Sequence, residues 1–316
     1  MGSRRQFLQQ SILAGAAFSV PAFDLLGYMH PESQIPDAPK ISLAQWSLHR
    51  SLRKGELKAE EFPLIAKALF GIQAVEYVNE FYTEELENQA FWQQLRRRAE
   101  SEGVKNLLMM VDEAGELGAL EKKARDQAID HHRKWMEAAK ILGCHSIRVN
   151  AFGKGSREEL KQSLVDGLGR LAEAGGELGM HVLIENHGLH TSDAAFMVGV
   201  IREIDSSNLG TLPDFGNWCL NKEWGSTKGG ACTQSYDPVR GLEEMLPLAN
   251  GVSAKSYDFD ADGNETQLPY KDLLRLVKDA GFQGYIGIEY EGDRLSEAEG
   301  VRATKALIEK TWKGLE

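Results

Sequence analysis

The sequence predicts a single-domain α/β protein, a (β/α)8 TIM barrel, on three observations. Apolar runs of strand length recur roughly every 30 to 40 residues, which is the spacing of a βα repeat. The stretches between the runs carry the period of about 3.6 residues that is typical of amphipathic helices. No Gly-x-Gly-x-x-Gly motif follows the first run, which favours a closed barrel over a dinucleotide-binding open sheet.

Eight strands follow from the apolar runs. They are predicted at Ile41–Ser47, Ile72–Val78, Lys105–Val111, Ser146–Asn150, His181–Asn186, Leu209–Asp214, Gly251–Ser256 and Gly284–Tyr290. Helices are expected between them, as in Arg133–Leu142 and Glu158–Leu178, where apolar residues recur on one face. Several glycines stand where a helix should end before the next strand: Gly71, Gly103, Gly143, Gly179 and Gly281.

The first 39 residues are predicted to be a twin-arginine export signal and a linker, which leaves residues 40–316 to the barrel. Arg4 and Arg5 precede Phe7 and Leu8, and the apolar segment Ser11–Val20 follows. That segment is shorter than the roughly 20 residues of a membrane span. The pattern therefore predicts a periplasmic protein without a stable membrane anchor. The alternative is an ordinary N-terminal helix with two chance arginines.

Composition limits the classes of partner. The 316 residues are 42% hydrophobic and 26% charged, as in a soluble globular protein. The net charge of −11 argues against a nucleic-acid partner, because a phosphate backbone needs a basic face. The sequence leaves open whether the chain forms a homo-oligomer. Cys219 and Cys232 flank the glycine-rich segment Gly225–Gly230 and could form a disulfide in an exported protein; the sequence leaves that pairing open.

Two predicted strands end in carboxylates. The apolar run Val182–Ile184 is followed by Glu185 and His187, which strand alternation places on one face. The eighth predicted strand likewise carries Glu289 at its carboxyl end. A buried carboxylate is costly unless it is paired or bound to a metal. The carboxyl ends of barrel strands are also where active sites lie, so these residues are the first candidates for chemistry.

A third carboxylate, Asp214, ends the sixth predicted strand. In a closed barrel the three groups would converge and raise one another's pKa values unless a divalent cation offsets their charge. Glu185, Asp214 and Glu289 are therefore candidate metal ligands. Oxygen ligands favour Mn²⁺ or Mg²⁺, and an added histidine would admit Co²⁺, Fe²⁺ or Zn²⁺. The alternative is a buried ionic network in which the glutamates pair with Arg148 and Lys255.

Short motifs stand at the predicted strand ends: Glu-Asn-His-Gly at 185–188, Pro-Asp-Phe-Gly-Asn at 213–217 and Gly-Ile-Glu-Tyr at 287–290. With the segment Ala138–Asn150, they resemble the xylose isomerase-like TIM-barrel superfamily, and most closely its sugar phosphate isomerase/epimerase branch, over residues 40–314. The resemblance implies a sugar isomerase or epimerase. In it Glu185 and Glu289 would bind a divalent metal and act as an acid/base pair through an enediolate-like intermediate, with Asp214 as a further ligand.

A carbohydrate substrate makes the other polar residues at strand ends candidate contacts. These are Glu76, Arg148, Asn150, His187 and Trp218. His187 is expected to hydrogen-bond a sugar hydroxyl; the alternative is a strand-end histidine whose hydrogen bonds are satisfied within the protein. Trp46 and Trp218 lie near strand ends and could stack on a sugar face, although tryptophan is equally at home in a barrel rim.

The sequence departs from the family pattern on the seventh strand. Where relatives have His-x-Lys, this chain has Ser253 two residues before Lys255, and Asn217 stands where many relatives have a further histidine. The fourth metal ligand is therefore missing or replaced. Lys255 is expected to orient the substrate or to act as a second acid. The alternative for Lys255 is an ion pair with Asp214 or Glu289.

Two other classes of function stay open. A lyase or hydrolase acting on an oxidised sugar or glycoside would use the same proton abstraction and then expel a group. A non-catalytic carbohydrate-binding barrel would have lost its metal. A related multi-zinc endonuclease is disfavoured by the acidic charge and by the absent histidine ligands.

Overall fold

The computed structural model describes residues 37–230 and 232–315. Eight parallel strands form its sheet. They are β1 (Lys40–Ala44), β2 (Ala74–Val78), β3 (Lys105–Val111), β4 (Ser146–Val149), β5 (His181–Ile184), β6 (Leu209–Thr211), β7 (Gly251–Ser256) and β8 (Tyr285–Tyr290).

Eight helices alternate with these strands along the described chain. They are α1 (Phe62–Phe70), α2 (Gln89–Ser101), α3 (Lys122–Leu142), α4 (Arg157–Leu178), α5 (Ala194–Ile204), α6 (Pro238–Met245), α7 (Tyr270–Asp279) and α8 (Glu297–Gly314). A short additional helix, His49–Arg53, precedes α1. Turns of 3-10 helix occupy Gln45–Leu48, Ala59–Glu61, Asn79–Glu85, Leu189–Ser192, Lys228–Gly230 and Leu246–Leu248.

The sheet curls on itself. Hydrogen-bonded neighbours run in the order β6-β5-β4-β3-β2-β1-β8-β7, so the first and last strands of the sequence lie side by side. The two edge strands are joined by isolated parallel bridges, Thr211 to Ala249 and Asp214 to Ser253. Parallel strands with intervening helices and this closure confirm the predicted single-domain (β/α)8 barrel.

The predicted strand limits are correct for β3 and β7, but β1, β5 and β6 end earlier than expected. The first strand stops at Ala44, because the next four residues form a 3-10 turn. The sixth stops at Thr211, and Pro213 beyond it has no N–H to continue a ladder. Glu185, His187 and Asp214 therefore stand just past the strands. Helices α1, α3 and α4 end at the predicted glycines, each in the left-handed conformation.

Side chains that alternate along each strand form two layers. One set packs between the sheet and the helices, where Ile147 and Val149 of β4 lie. The other set fills the barrel interior with a small apolar cluster: Ala44, Val78, Leu108, Met110, Leu183 and Leu212. At the carboxyl end of the barrel the interior positions become polar, as the alternation predicted.

Cys219 and Cys232 form a disulfide with their Cα atoms 5.7 Å apart, so the pairing that the sequence left open is present. Cys144 is a buried free thiol. Nearly all of the predicted export signal and linker, residues 1–39, lies outside the described residues. Among the residues that are described, no helix combines the length and hydropathy needed to cross a bilayer.

Candidate active site

Three carboxylates converge at the carboxyl end of the barrel. Glu185 follows β5, Asp214 follows β6 and Glu289 belongs to β8. Their carboxylate oxygens lie within 4.8 Å of one another, and all three side chains are buried. The convergence that the strand ends predicted is therefore present. We call these three residues the carboxylate cluster.

Ser253 of β7 lies beside the cluster. Its Oγ is 2.6 Å from Oδ2 of Asp214 and 2.7 Å from Oε2 of Glu289. A serine hydroxyl has only one proton to donate. Ser253 can therefore donate to only one of these two carboxylates at a time.

Lys255 is buried on the other side of Glu289. Its Nζ lies 3.1 Å from Glu291, 3.3 Å from Glu289 and 4.0 Å from Asp214. Burial alone would lower the pKa of Lys255, but these three carboxylates raise it well above its usual value. The lysine is thus held as a cation. The geometry favours the ion-pair alternative over a second acid, because a group with a raised pKa gives up its proton reluctantly.

Arg148 is the second buried cation. Its Nε lies 2.8 Å from Oε2 of Glu185, a close ion pair whose alignment is poor for a hydrogen bond. Its Nη1 donates to Oδ1 of Asp112 at 2.5 Å. The two glutamates of the cluster are therefore each paired with a cation, as the ionic-network alternative expected, but both cations are shared with further carboxylates.

The buried carboxylates outnumber the two buried cations, and the pKa values of Glu185 and Asp214 are shifted as a result. Burial raises the pKa of Glu185 well above its usual value; Arg148 opposes this shift, and Glu289 and Asp214 add to it. Burial likewise raises the pKa of Asp214 to about 7, with Lys255 lowering it and Glu289 raising it. The pKa of Asp214 therefore lies near neutral pH, which is where an acid/base group is useful.

The cluster fits a divalent cation. Its three groups supply convergent oxygen ligands, and a cation would offset the excess negative charge. One buried oxygen beside it has no hydrogen-bond partner: Oδ1 of Asn217, whose Nδ2 donates to Oε1 of Glu185 at 3.2 Å. Glu185, Asp214 and Glu289 are thus the residues that could hold a metal, with Asn217 and Ser253 adjacent.

A chain of polar groups leads from Asp112 to His187. Asn150 donates from Nδ2 to Oδ1 of Asp112 at 2.7 Å, and its Oδ1 lies 2.7 Å from Nδ1 of His187. The amide oxygen can only accept, so Nδ1 carries the proton and Nε2 is left as an acceptor. Burial holds the pKa of His187 well below its usual value, with Arg148 contributing. His187 is therefore a neutral acceptor on the cavity wall.

Glu76 lies inside the barrel rather than on the cavity wall, so its predicted role as a substrate contact is corrected. It is 2% exposed, and its Oε1 accepts a hydrogen bond from Ser42 at 2.6 Å. Its carboxylate occupies the space above Gly287, where an added Cβ would lie 2.6 Å from Oε1. Burial raises the pKa of Glu76 to about 7.

The prediction that Trp218 stacks on a sugar in the cavity is also wrong. It is fully buried, and its ring packs against the backbone of Gly241 on α6, outside the barrel. The tryptophans that line the cavity above the cluster, which has a volume of about 910 Å³, are instead Trp46, Trp135 and Trp224. Of the predicted site residues, Arg148, His187 and Glu289 line this cavity, while Glu185, Asp214, Asn150 and Lys255 lie behind them.

Three residues of this site were not expected from the sequence to have a role in it. Glu291 follows Glu289 by two positions and so points the same way, a signal that strand alternation offered. Asp112 comes directly after β3. Trp224 lies in the long loop after β6, and nothing in its sequence context indicated that it would reach the cavity.

A sequence profile described as the xylose isomerase-like TIM barrel matches residues 64–311. The chain belongs to this family. The resemblance noted at the strand ends is thereby confirmed over most of the described chain.

Solved structures of two sugar epimerases share the architecture. A D-psicose 3-epimerase in the presence of D-fructose superposes with a TM-score of 0.65 at 13% identity, over 87% of this chain and 100% of that one. A 3-keto-D-glucoside 4-epimerase from E. coli gives a TM-score of 0.61 at 15% identity, over 86% and 99% of the two chains. At these identities the likeness establishes the fold.

One curated relative matches a short segment. A 3'-dehydrocarminate deglycosidase alpha subunit from Microbacterium sp is 42% identical over 48 residues, which are 15% of this chain. The match spans only 14% of that relative's own length.

Proposed function

We propose that this protein is a sugar isomerase or epimerase that moves a proton between adjacent carbons of a keto sugar or sugar derivative. The observation that carries the proposal is the carboxylate cluster: two glutamates and an aspartate, buried together below an open cavity. The sugar epimerases among the structures of similar fold support the choice of chemistry.

The residues suit the removal of a proton beside a carbonyl group. Glu289 lines the cavity and takes the proton from the substrate carbon beside the carbonyl group. The C–H bond breaks and leaves an enediolate. Glu185 belongs to the same cluster and returns a proton to carbon from the opposite face. His187 accepts and gives back the proton of a sugar hydroxyl through Nε2.

The cluster would hold a divalent cation through Glu185, Asp214 and Glu289. An all-oxygen set favours Mn²⁺ or Mg²⁺. Such an ion, when bound, supplies Lewis-acid stabilisation of negative charge on the substrate oxygens. Lys255 and Arg148 fix the orientation of the two glutamates, and neither is assigned a proton-transfer step.

Deuterium exchange tests this proposal. The protein is incubated in D₂O, with Mn²⁺ or Mg²⁺ added, against a panel of ketohexoses and 3-keto-glucosides. We expect solvent deuterium at a carbon beside the carbonyl. Glu185→Gln and Glu289→Gln should each reduce the exchange rate by about 10²-fold or more, because each removes an acid/base group.

The control variant is Glu137→Gln, which changes an exposed glutamate of α3 that does not line the cavity and should exchange like the native protein. The proposal is wrong if no member of the panel gains deuterium. The acid/base assignment alone is wrong if either glutamine variant exchanges at the native rate.

A lyase or deglycosidase is the second candidate, supported by the short match to the deglycosidase subunit. It would begin with the same proton abstraction and then break the bond to a leaving group. The same incubations distinguish the two activities. A free aglycone or an unsaturated sugar favours the lyase, whereas an isomeric sugar of unchanged mass favours the isomerase. A non-catalytic sugar-binding barrel would give neither product.

We further propose export by the twin-arginine route. Arg4 and Arg5 precede an apolar segment, and the disulfide Cys219–Cys232 suits an oxidising compartment. Replacing both arginines by lysine should retain the protein in the cytoplasm of an expressing bacterium. Cell fractionation checks this, and equal periplasmic yield of both forms would contradict it.

A further inference from the structure

We propose that the substrate is an uncharged glycoside, a sugar ring that carries a second apolar or aromatic group, rather than a phosphorylated monosaccharide. The inference rests on the proposed function only in placing the sugar ring against the carboxylate cluster. Three features of the cavity carry it: its volume, the pairing of its cations and the exposed ring of Trp224.

The volume exceeds what one sugar ring fills. Ligand pockets span roughly 300–1,000 Å³, the upper part of which accommodates drug-sized molecules. The cavity here has a volume of about 910 Å³. A pyranose held at the cluster would leave most of that space free. A second group on the sugar would occupy it.

The cations that line the cavity are already paired. They are Arg50 with Glu297, Arg53 with Glu80, Arg148 with both Asp112 and Glu185, and Lys228 with Asp293. Arg53 binds its glutamate through two hydrogen bonds, of 2.7 and 2.8 Å. Six carboxylates line the cavity against these four cations. A phosphate group would have to displace a carboxylate from one of these cations. It would also be repelled by the other negatively charged side chains that line the cavity, so a neutral ligand fits better.

Trp224 supplies an aromatic surface at the mouth. Its side chain is 41% exposed, and its ring meets that of His187 edge to face at 5.0 Å between centroids. Its φ of 65° is an uncommon conformation for a bulky residue, and such strain is concentrated at functional sites. An exposed aromatic ring beside His187, which is expected to accept a hydrogen bond from the sugar, is suited to pack against an apolar group.

The loop that carries Trp224 is held in place from both sides. The disulfide Cys219–Cys232 ties its ends. Gly188 (φ 101°) packs beneath it so closely that an added Cβ would lie 2.3 Å from the carbonyl oxygen of Lys222. The aromatic surface is therefore fixed before the ligand arrives, which reduces the entropic cost of binding.

Calorimetric titration of the full-length protein tests the proposal with three probes: D-glucose, 4-nitrophenyl β-D-glucopyranoside and D-glucose 6-phosphate. We expect the nitrophenyl glucoside to bind at least about tenfold more tightly than glucose. Glucose 6-phosphate should bind no more tightly than glucose. Trp224→Ala should lose most of the nitrophenyl gain, whereas Leu69→Ala, which removes an exposed leucine of α1, should keep it.

Several outcomes overturn the proposal: tighter binding of the phosphate, equal binding of glucose and its nitrophenyl glucoside, or no binding of any probe. Full retention of the gain in Trp224→Ala overturns the role of that ring. The titration needs no turnover. A glycoside preference without deuterium exchange would therefore refute the proposed reaction and leave the substrate class standing.

Discussion

The hydroxyl of Ser253 donates a hydrogen bond of 2.6 Å to Oδ2 of Asp214. A serine therefore contacts this carboxylate at the position where the family pattern has a histidine. The hydroxyl keeps the donor set entirely oxygen. It also leaves the buried negative charge of the cluster to be offset by protons, by Lys255 and Arg148, or by a bound cation.

Replacing Ser253 by histidine should change metal preference. An imidazole nitrogen suits Zn²⁺ or Co²⁺, whereas oxygen ligands suit Mn²⁺ and Mg²⁺. We expect Ser253→His to bind Zn²⁺ at least about tenfold more tightly than the native protein, measured by competition with a chromophoric chelator. Ser253→Ala is the matched control, because it removes the hydroxyl without adding a ligand. Equal Zn²⁺ affinity in the histidine and alanine variants would contradict the assignment of this position.

Glu76 should make the protein less stable as pH rises. Burial raises the pKa of Glu76 to about 7 from its usual 4.5, so the folded protein holds this proton more tightly than the unfolded chain. Its contribution is fully present below pH 4.5 and is lost as pH rises through about 7. Relative to Glu76→Gln, the native protein should lose about 2 kcal/mol of unfolding free energy between pH 5 and pH 8.

Urea denaturation of both proteins at the two pH values measures that difference. The glutamine variant is its own control for every other titrating group, because only residue 76 differs. If the free energy of unfolding changes equally with pH in the two proteins, the folded structure does not raise the pKa of Glu76.

Gly287→Ala should destabilise the barrel through Glu76. A Cβ at this position would lie 2.6 Å from Oε1 of that carboxylate, so the side chain or the strand must move. Such overpacking costs about 1–3 kcal/mol. Combining it with Glu76→Ser should recover much of the loss, because the shorter side chain vacates the space. A double-mutant cycle of chemical denaturation gives the coupling, and strict additivity would refute the contact.

Removing the disulfide should lower stability. Cys219 and Cys232 are 13 residues apart in sequence, and closing a loop of that size contributes about 3 kcal/mol. The double variant Cys219→Ser/Cys232→Ser should melt below the native protein and should not respond to reductant. A native protein whose melting temperature is equally unaffected by reductant would be inconsistent with the pairing.

Strand alternation explains why much of the site could be predicted. Glu289 was placed correctly because it alternates with the outward-facing Ile288 and Tyr290 on β8, and Arg148 because it alternates with its β4 neighbours in the same way. Such arguments need only the period of a strand. They predicted which face each residue takes and which strand ends converge.

Other features depend on distances that no periodicity contains. Trp218 was expected in the cavity, but its ring fills the space left by the missing side chain of Gly241, a residue 23 positions away in sequence. The hydroxyl of Ser253 reaches two carboxylates only because β7 lies between their strands. The choice between acid and ion-pair partner for Lys255 required the position of Glu291.

The closure of the barrel has a dynamic consequence. The pair Asp214 and Ser253 is also one of the two isolated bridges that join β6 to β7, whereas β7 and β8 are paired along six residues. Local opening proceeds where the fewest hydrogen bonds must break. The amide protons of Phe215 and Ser253 would therefore exchange with solvent sooner than those along β8. Local opening of the barrel wall would begin beside the carboxylate cluster.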